Sequence, residues 1–413
     1  MRKHETSFIK LRLVKYMKKK IIFDSILNII ATALPLLLLQ LIVLPILGGK
    51  LGEIDYGAVL TLISLTIIFS QPFGKVVNNI RLLKDDNYNK NDEFGDFNLL
   101  LISGVIINGL IIAVSVLYFD NTSSILNVSL IVMVSTLNLI RQYIIVGFRL
   151  QLNYKGILVN NIILGLGYIF GLLLFFLVPY WQLIYITGYA LSIIYISPKF
   201  NWYKEGIRKS KLFNGITKES IILFLSMCIK TIFNYADRLV LFPLMGPSAV
   251  TIYYTATLSG KLITKVTTPL TTVMLSYLVK MKNFRLKLFL YLILLTSIIG
   301  VFGYFVTVWL SKPMLYILYP QWAEQSLKLI YVTTATIVFE VFTSIINPFI
   351  LRFNKMNLQL IIGLIHIAVA VVAVSIFYNL YGLLGFCIGL LIANVIKLIL
   401  MLILIIKKNK SFV

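Results

Sequence analysis

The chain has 413 residues, 59% of them hydrophobic and 13% charged, with a mean hydropathy of +0.93. Soluble domains are nearer roughly 45–50% apolar and 25% charged, so the composition excludes an ordinary soluble globular protein. A formal net charge of +23 would suggest nucleic acid on a soluble chain, but here its distribution points to a membrane surface.

In chain order, a basic tail over 1–20 is followed by twelve apolar runs: 21–47, 57–83, 97–119, 125–148, 156–178, 180–197, 219–245, 251–279, 287–310, 325–350, 358–379 and 382–406. Such runs can cross about 30 Å of hydrocarbon as helices. The strands of an outer-membrane barrel would instead be short and alternating. The first run is too long for the h-region of a cleavable signal and reads as a signal anchor.

Lys and Arg fall on one side. The tail has eight; the loop after the sixth run has six, namely Lys199, Lys204, Arg208, Lys209, Lys211 and Lys218. The loop after the eighth run adds Lys280, Lys282, Arg285 and Lys287, and the C-terminus adds Lys407, Lys408 and Lys410. The alternate loops hold only Lys50 and Lys312. The positive-inside rule therefore places both termini in the cytoplasm, with the basic loops against anionic membrane lipids. The expected fold is an all-α polytopic membrane protein. It comprises a six-helix bundle over 21–197, a basic cytoplasmic linker over 198–218, a second six-helix bundle over 219–406 and a tail over 407–413.

The two sets of six runs suggest duplication. At an ungapped offset of 197, Gly49 meets Gly246, Tyr56 meets Tyr253 and Pro72 meets Pro269. Both halves begin inside, so the repeats are expected to be parallel and related by a pseudo-two-fold axis along the membrane normal, a recurrent transporter plan.

Ionised side chains deep in a bilayer cost roughly 2.5–3.5 kcal/mol each on insertion scales. The runs nevertheless carry Lys75, Arg141, Lys230, Arg238, Lys261, Lys265 and Lys397, against Asp24, Asp237 and Glu340. Helical spacing arranges them in stripes. Lys230, Asn234, Asp237 and Arg238 share a face, as do Lys261, Lys265, Thr268 and Thr272. Gln71, Lys75, Asn78 and Asn79 line the second run, and Ser135, Asn138, Arg141 and Gln142 line the fourth. Such stripes must face protein or water. Asp237 can neutralise Arg238 or Lys230 and Glu340 one further cation. The surplus positive charge points to a visiting anion, although buried ion pairs account for part of it and snorkelling suits Lys397.

Other chemistry is not encoded. "SGK" at 259–261 lacks the first glycine and the Ser/Thr of a phosphate loop. Cys228 and Cys387 have neither disulfide nor metal spacing, His366 stands alone among Ile and Ala, and no metal or cofactor is expected. Gly167-x-x-x-Gly171 and Gly385-x-x-x-Gly389 read as close helix packing. Pro35, Pro72 and Pro269 are expected to kink their helices.

"IIFDSILNIIATALPLLLLQLIVLPILGGKLGEIDYG", with Asn28, Pro35, Pro45 and Tyr56-Gly57, and "NYADRLVLFPLMGPSAVTIYYTATLSGKLI" resemble the Wzx-like polysaccharide repeat-unit flippases. These belong to the multidrug/oligosaccharidyl-lipid/polysaccharide export superfamily. The resemblance implies alternating access and passage of an undecaprenyl-diphosphate-linked oligosaccharide to the outer leaflet, for capsule or O-antigen assembly beside a polymerase. On that reading Lys230, Lys261, Lys265 and Arg238 meet the diphosphate or an acidic sugar, and Arg141 and Lys75 steer from the cytoplasmic side. Asp24, Asp237 and Glu340 would couple to protons or sodium. Two rivals fit less well. A multidrug exporter of cationic drugs would favour an acidic cavity, while a polymerase or glycosyltransferase would need a large external loop or a cytosolic acidic metal motif.

Overall fold

The computed structural model describes residues 27, 29–89, 94–119, 124–279, 286–353 and 356–410. The basic tail, Asp24 and Asn28 lie outside these. Each expected span has its helix: α1 (Ile29–Leu51), α2 (Glu53–Asn89), α3 (Gly95–Phe119), α4 (Ile125–Leu150), α5 (Tyr154–Leu177) and α6 (Gln182–Ile196). The helix Phe213–Val279 breaks at Gly246 into α7 (213–245) and α8 (247–279). There follow α9 (Leu286–Leu318) and α10 (Ala323–Phe353), and Met356–Lys410 breaks at Gly382 into α11 (356–381) and α12 (383–410). Among the described residues no strand occurs, and nine helical segments are individually long and apolar enough to span a bilayer. The protein is a multi-pass membrane protein.

The chain falls into two compact units, Met1–Leu244 and Met245–Val413. The first therefore ends after α7 rather than in the basic linker. The packing explains this: Phe224 of α7 sets its ring against Phe69 and Phe73 of α2 at 5.0 and 5.7 Å.

Glycine sets how closely helices approach. A Cβ on Gly167 would lie 2.6 Å from Gly188 Cα, and one on Gly171 would lie 2.5 Å from Ile184 Cα, so α5 and α6 touch backbone to backbone. In the second unit a Cβ on Gly389 would lie 2.6 Å from Val374 Cα, pairing α12 with α11. Small-residue contact of this kind is how helices gain dispersion energy where lipid removes the hydrophobic incentive. A π-helical turn at Leu39–Val43 follows Pro35 in α1, whereas α2 continues through Pro72.

The duplication has a structural register that differs from the one read in the letters. Gly49 is helical, and the residue that shares the backbone conformation of Gly246 (φ 80°, ψ 176°) is Gly52 (φ 82°, ψ 177°). The offset is then 194, and the burial of 56–66 is matched position by position in 250–260. Thr61 donates to Gly57 O at 3.0 Å, and Thr255 likewise to Thr251 O at 3.0 Å. Tyr56 and Tyr253 are thus not equivalent, because residue identity drifts while the buried face is fixed by packing.

Replacing Gly167 by Ala should destabilise the detergent-solubilised protein by about 2 kcal/mol, since the added methyl meets backbone. Gly303→Ala, with nothing within 4 Å of the new Cβ, should cost nothing measurable. Thermal unfolding of the two variants side by side checks this, and equal midpoints would refute it.

Candidate functional site

The stripes of α2 and α4 turn toward each other. Ser135 donates to Thr66 O (3.0 Å), Asn138 Nδ2 to Ser70 Oγ (2.8 Å), and Asn78 Nδ2 to the carbonyls of Gln142 and Tyr143 (2.9 and 3.1 Å). Gly74 permits the approach, for a Cβ there would lie 2.4 Å from Leu139 O. Arg149 closes the seam by donating to the side-chain oxygens of Asn78 and Asn79. These polar groups are consumed in holding the unit together. Lys75, on the same helix, is exposed.

The cations differ in their surroundings. Arg238 of α7 is buried, gives Nη1 to Ser64 Oγ at 3.2 Å, and has its guanidinium carbon 5.7 Å from the Tyr235 ring centre. Asp237 beside it accepts the backbone N–H of Arg238 at 2.9 Å. Lys261 of α8 is half-buried with its ammonium 5.4 Å from the Tyr253 ring centre, a cation–π contact. Lys230 and Lys265 are helical, one turn and more along the same stripes, but their side chains are outside the described residues. Glu340 of α10 is exposed, and Lys397 of α12 is half-buried. His366 is half-buried on α11. Arg141 is 6% exposed and enclosed within the first unit, away from any steering position on an open surface.

No family model and no curated relative matches the sequence. Solved structures do. An inward-facing multidrug resistance MATE family transporter of the MOP superfamily superposes with a TM-score of 0.64 at 13% identity, over 93% of this chain and 99% of that one. The lipid II flippase MurJ, in an inward closed conformation, gives 0.65 at 17% identity over 93% and 86%. An outward-facing MATE structure gives 0.59 at 14% identity over 95% and 96%. The chain has the MATE/MurJ fold. At these identities the likeness is one of fold, shared by transporters and a flippase.

Within this MATE/MurJ fold the first unit carries a polar centre that reading the sequence passed over. Arg81 lies within the second run, at i+3 from Asn78, and that spacing was the available signal. Its guanidinium makes a two-pronged pair with Glu205 (2.6 and 2.5 Å) and donates to Tyr143 Oη at 2.7 Å. Phe94, Phe97 and Phe200 rings surround it at 4.7, 5.1 and 4.6 Å. Asp96 receives Tyr88 Oη (2.7 Å), Ser210 N (2.7 Å) and Ser210 Oγ (2.5 Å), while Asn98 Nδ2 reaches the carbonyls of Trp202 and Gly206, each at 2.9 Å. The first part of the basic 198–218 segment is therefore strapped onto α2 and α3, and α7 begins at Phe213 within its remainder.

Glu205→Gln leaves a buried guanidinium half-paired and should cost about 3 kcal/mol, with protease cutting of the loop increased. Glu219→Gln removes the exposed pair with Lys84 and should stay within about 0.5 kcal/mol. Unfolding midpoints and limited proteolysis from the basic side test the contrast; similar effects in both would sink it.

Proposed function

We propose that the chain is a flippase that carries an undecaprenyl-diphosphate-linked oligosaccharide from the cytoplasmic to the outer leaflet of the plasma membrane by alternating access, in capsule or O-antigen assembly. One observation carries the reading: the membrane runs carry more Lys and Arg than Asp and Glu. Arg238 is buried beside Ser64, and Lys261 is half-buried over Tyr253. Each such charge has an insertion cost that a visiting anion offsets. A diphosphate brings the negative charge and acceptor oxygens that Lys and Arg recognise. Asn234 and the threonines along α8 suit sugar hydroxyls.

The neighbours differ in what they are named for, lipid II flipping in one case and multidrug resistance in the other. Charge favours the first, because a cationic drug would be repelled by the residues that attract a diphosphate. Lys230, Lys261, Lys265 and Arg238 are assigned to the anionic headgroup and Lys75 to its capture from the basic side. Asp24, Asp237 and Glu340 are assigned to coupling with protons or sodium. Arg141 is left out of this assignment because its guanidinium is bonded to Ser192 and Asn161 inside the first unit.

Lys230→Ala, Lys261→Ala and Lys265→Ala should each slow flipping of a diphosphate-linked lipid in proteoliposomes by about tenfold, equivalent to about 1.4 kcal/mol, with Lys→Arg retaining most of the rate. Full activity in all three alanine variants would overturn the assignment. Export of a cationic dye by the wild type without any lipid flipping would favour the multidrug reading.

A further inference from the structure

One guanidinium inside the first unit has no counter-charge among the described residues. Arg141 of α4 donates Nε to Ser192 Oγ of α6 at 2.8 Å and Nη2 to Asn161 Oδ1 of α5 at 2.5 Å. Ser192 passes its own proton to Asn160 Oδ1 at 2.9 Å. Both of the arginine's acceptors are neutral. Its Nη1 is bonded to no described residue, and among the described residues it makes no ion pair. Asn160 is completely enclosed, and its Nδ2 donor finds no acceptor. Tyr168 of α5 and Tyr189 of α6 stand nearby, with ring centres 6.1 Å apart.

The cluster thus holds a fixed positive charge and unspent N–H donors, with nothing negative among the described residues to receive them. Arginine does not escape by losing its proton, as a lysine could. A buried charge left alone is among the costliest features a fold can contain. Arg81 of the same unit shows the ordinary solution, a carboxylate at 2.5 Å. What the Arg141 cluster lacks is an acceptor that is negative, compact and indifferent to direction. Asn160 and Ser192 are fully buried, and Asn161, Tyr168 and Tyr189 are nearly so.

We propose that Arg141 and Asn160 hold a small monovalent anion of halide size inside the first helical unit. The anion neutralises the guanidinium between Arg141 Nη1 and Asn160 Nδ2. It is a structural ligand, separate from any transported headgroup, and the proposal stands whatever the substrate is.

The test uses the full chain in detergent, with bromide as the probe and gluconate as the control at constant ionic strength. Bromide should raise the unfolding midpoint saturably by about 5 °C, and gluconate should not. Crystals grown in bromide should show anomalous scattering beside Arg141 Nη1 and Asn160 Nδ2. Asn160→Asp supplies a built-in carboxylate, so this variant should match or exceed wild-type stability without halide and lose the bromide response. It also keeps the test open should Arg141→Gln fail to fold. Equal midpoints in bromide and gluconate, with no anomalous peak, would mean that water fills the place and the proposal is wrong. A bromide response that persists in Asn160→Asp would locate the effect elsewhere and would overturn it equally.

Discussion

The first unit rests on the seam between α2 and α4. Inside hydrocarbon no water completes a polar group, so each donor that enters must find an acceptor on a neighbouring helix. Gly74 lets the two backbones approach. At that distance Asn78 spans to the carbonyls of Gln142 and Tyr143. Tyr143, fixed by its place in the seam, offers its hydroxyl to Arg81, and Arg81 grips Glu205. A single helix contact therefore propagates through four residue types to position a loop more than a hundred residues away in sequence. Individual bonds of this kind are worth roughly 0.6 kcal/mol on average in membrane proteins. Their value lies in being mutually dependent, so that one geometry satisfies them all.

The architecture was legible because the bilayer imposes a length, and apolar runs near that length can be counted. Helix faces were legible too, since the 3.6-residue period places Ser135, Asn138 and Gln142 together. What a period does not encode is the partner. The stripes of the second and fourth runs meet each other, and this was undetermined until the helices were placed side by side. Arg81 escaped notice for a related reason: near the basic end of a run, a buried arginine and a solvated one look alike in letters. The repeat shows the same limit. Matching letters favoured 197, while the turn glycines Gly52 and Gly246 and the buried positions give 194, because packing preserves the inward face and tolerates changes in what fills it.

Fold and function separate clearly here. One helical scaffold serves proteins named for multidrug resistance and for lipid II flipping, so specificity has to be read from charges placed on the scaffold rather than from the scaffold itself. The strongest discriminator is the sign of those charges. Lys261 stands against a tyrosine ring and Arg238 beside a serine hydroxyl, and both are positive.

The shared register of the halves also bears on how the chain assembles as it leaves the ribosome. While the second half is being made, α8 matches α2 in turn geometry and in the spacing of its buried face, which makes it a competitor for the place of α2. The side chains prevent the exchange. Where α2 has Val59 and Leu60, α8 brings Tyr253 and Tyr254, all four of them buried in their own settings. Two extra rings cannot enter a core filled to the volume of aliphatic residues without forcing neighbours aside. Divergence between the copies thus acts as a lock against misthreading, keeping each helix from being accepted by the wrong half.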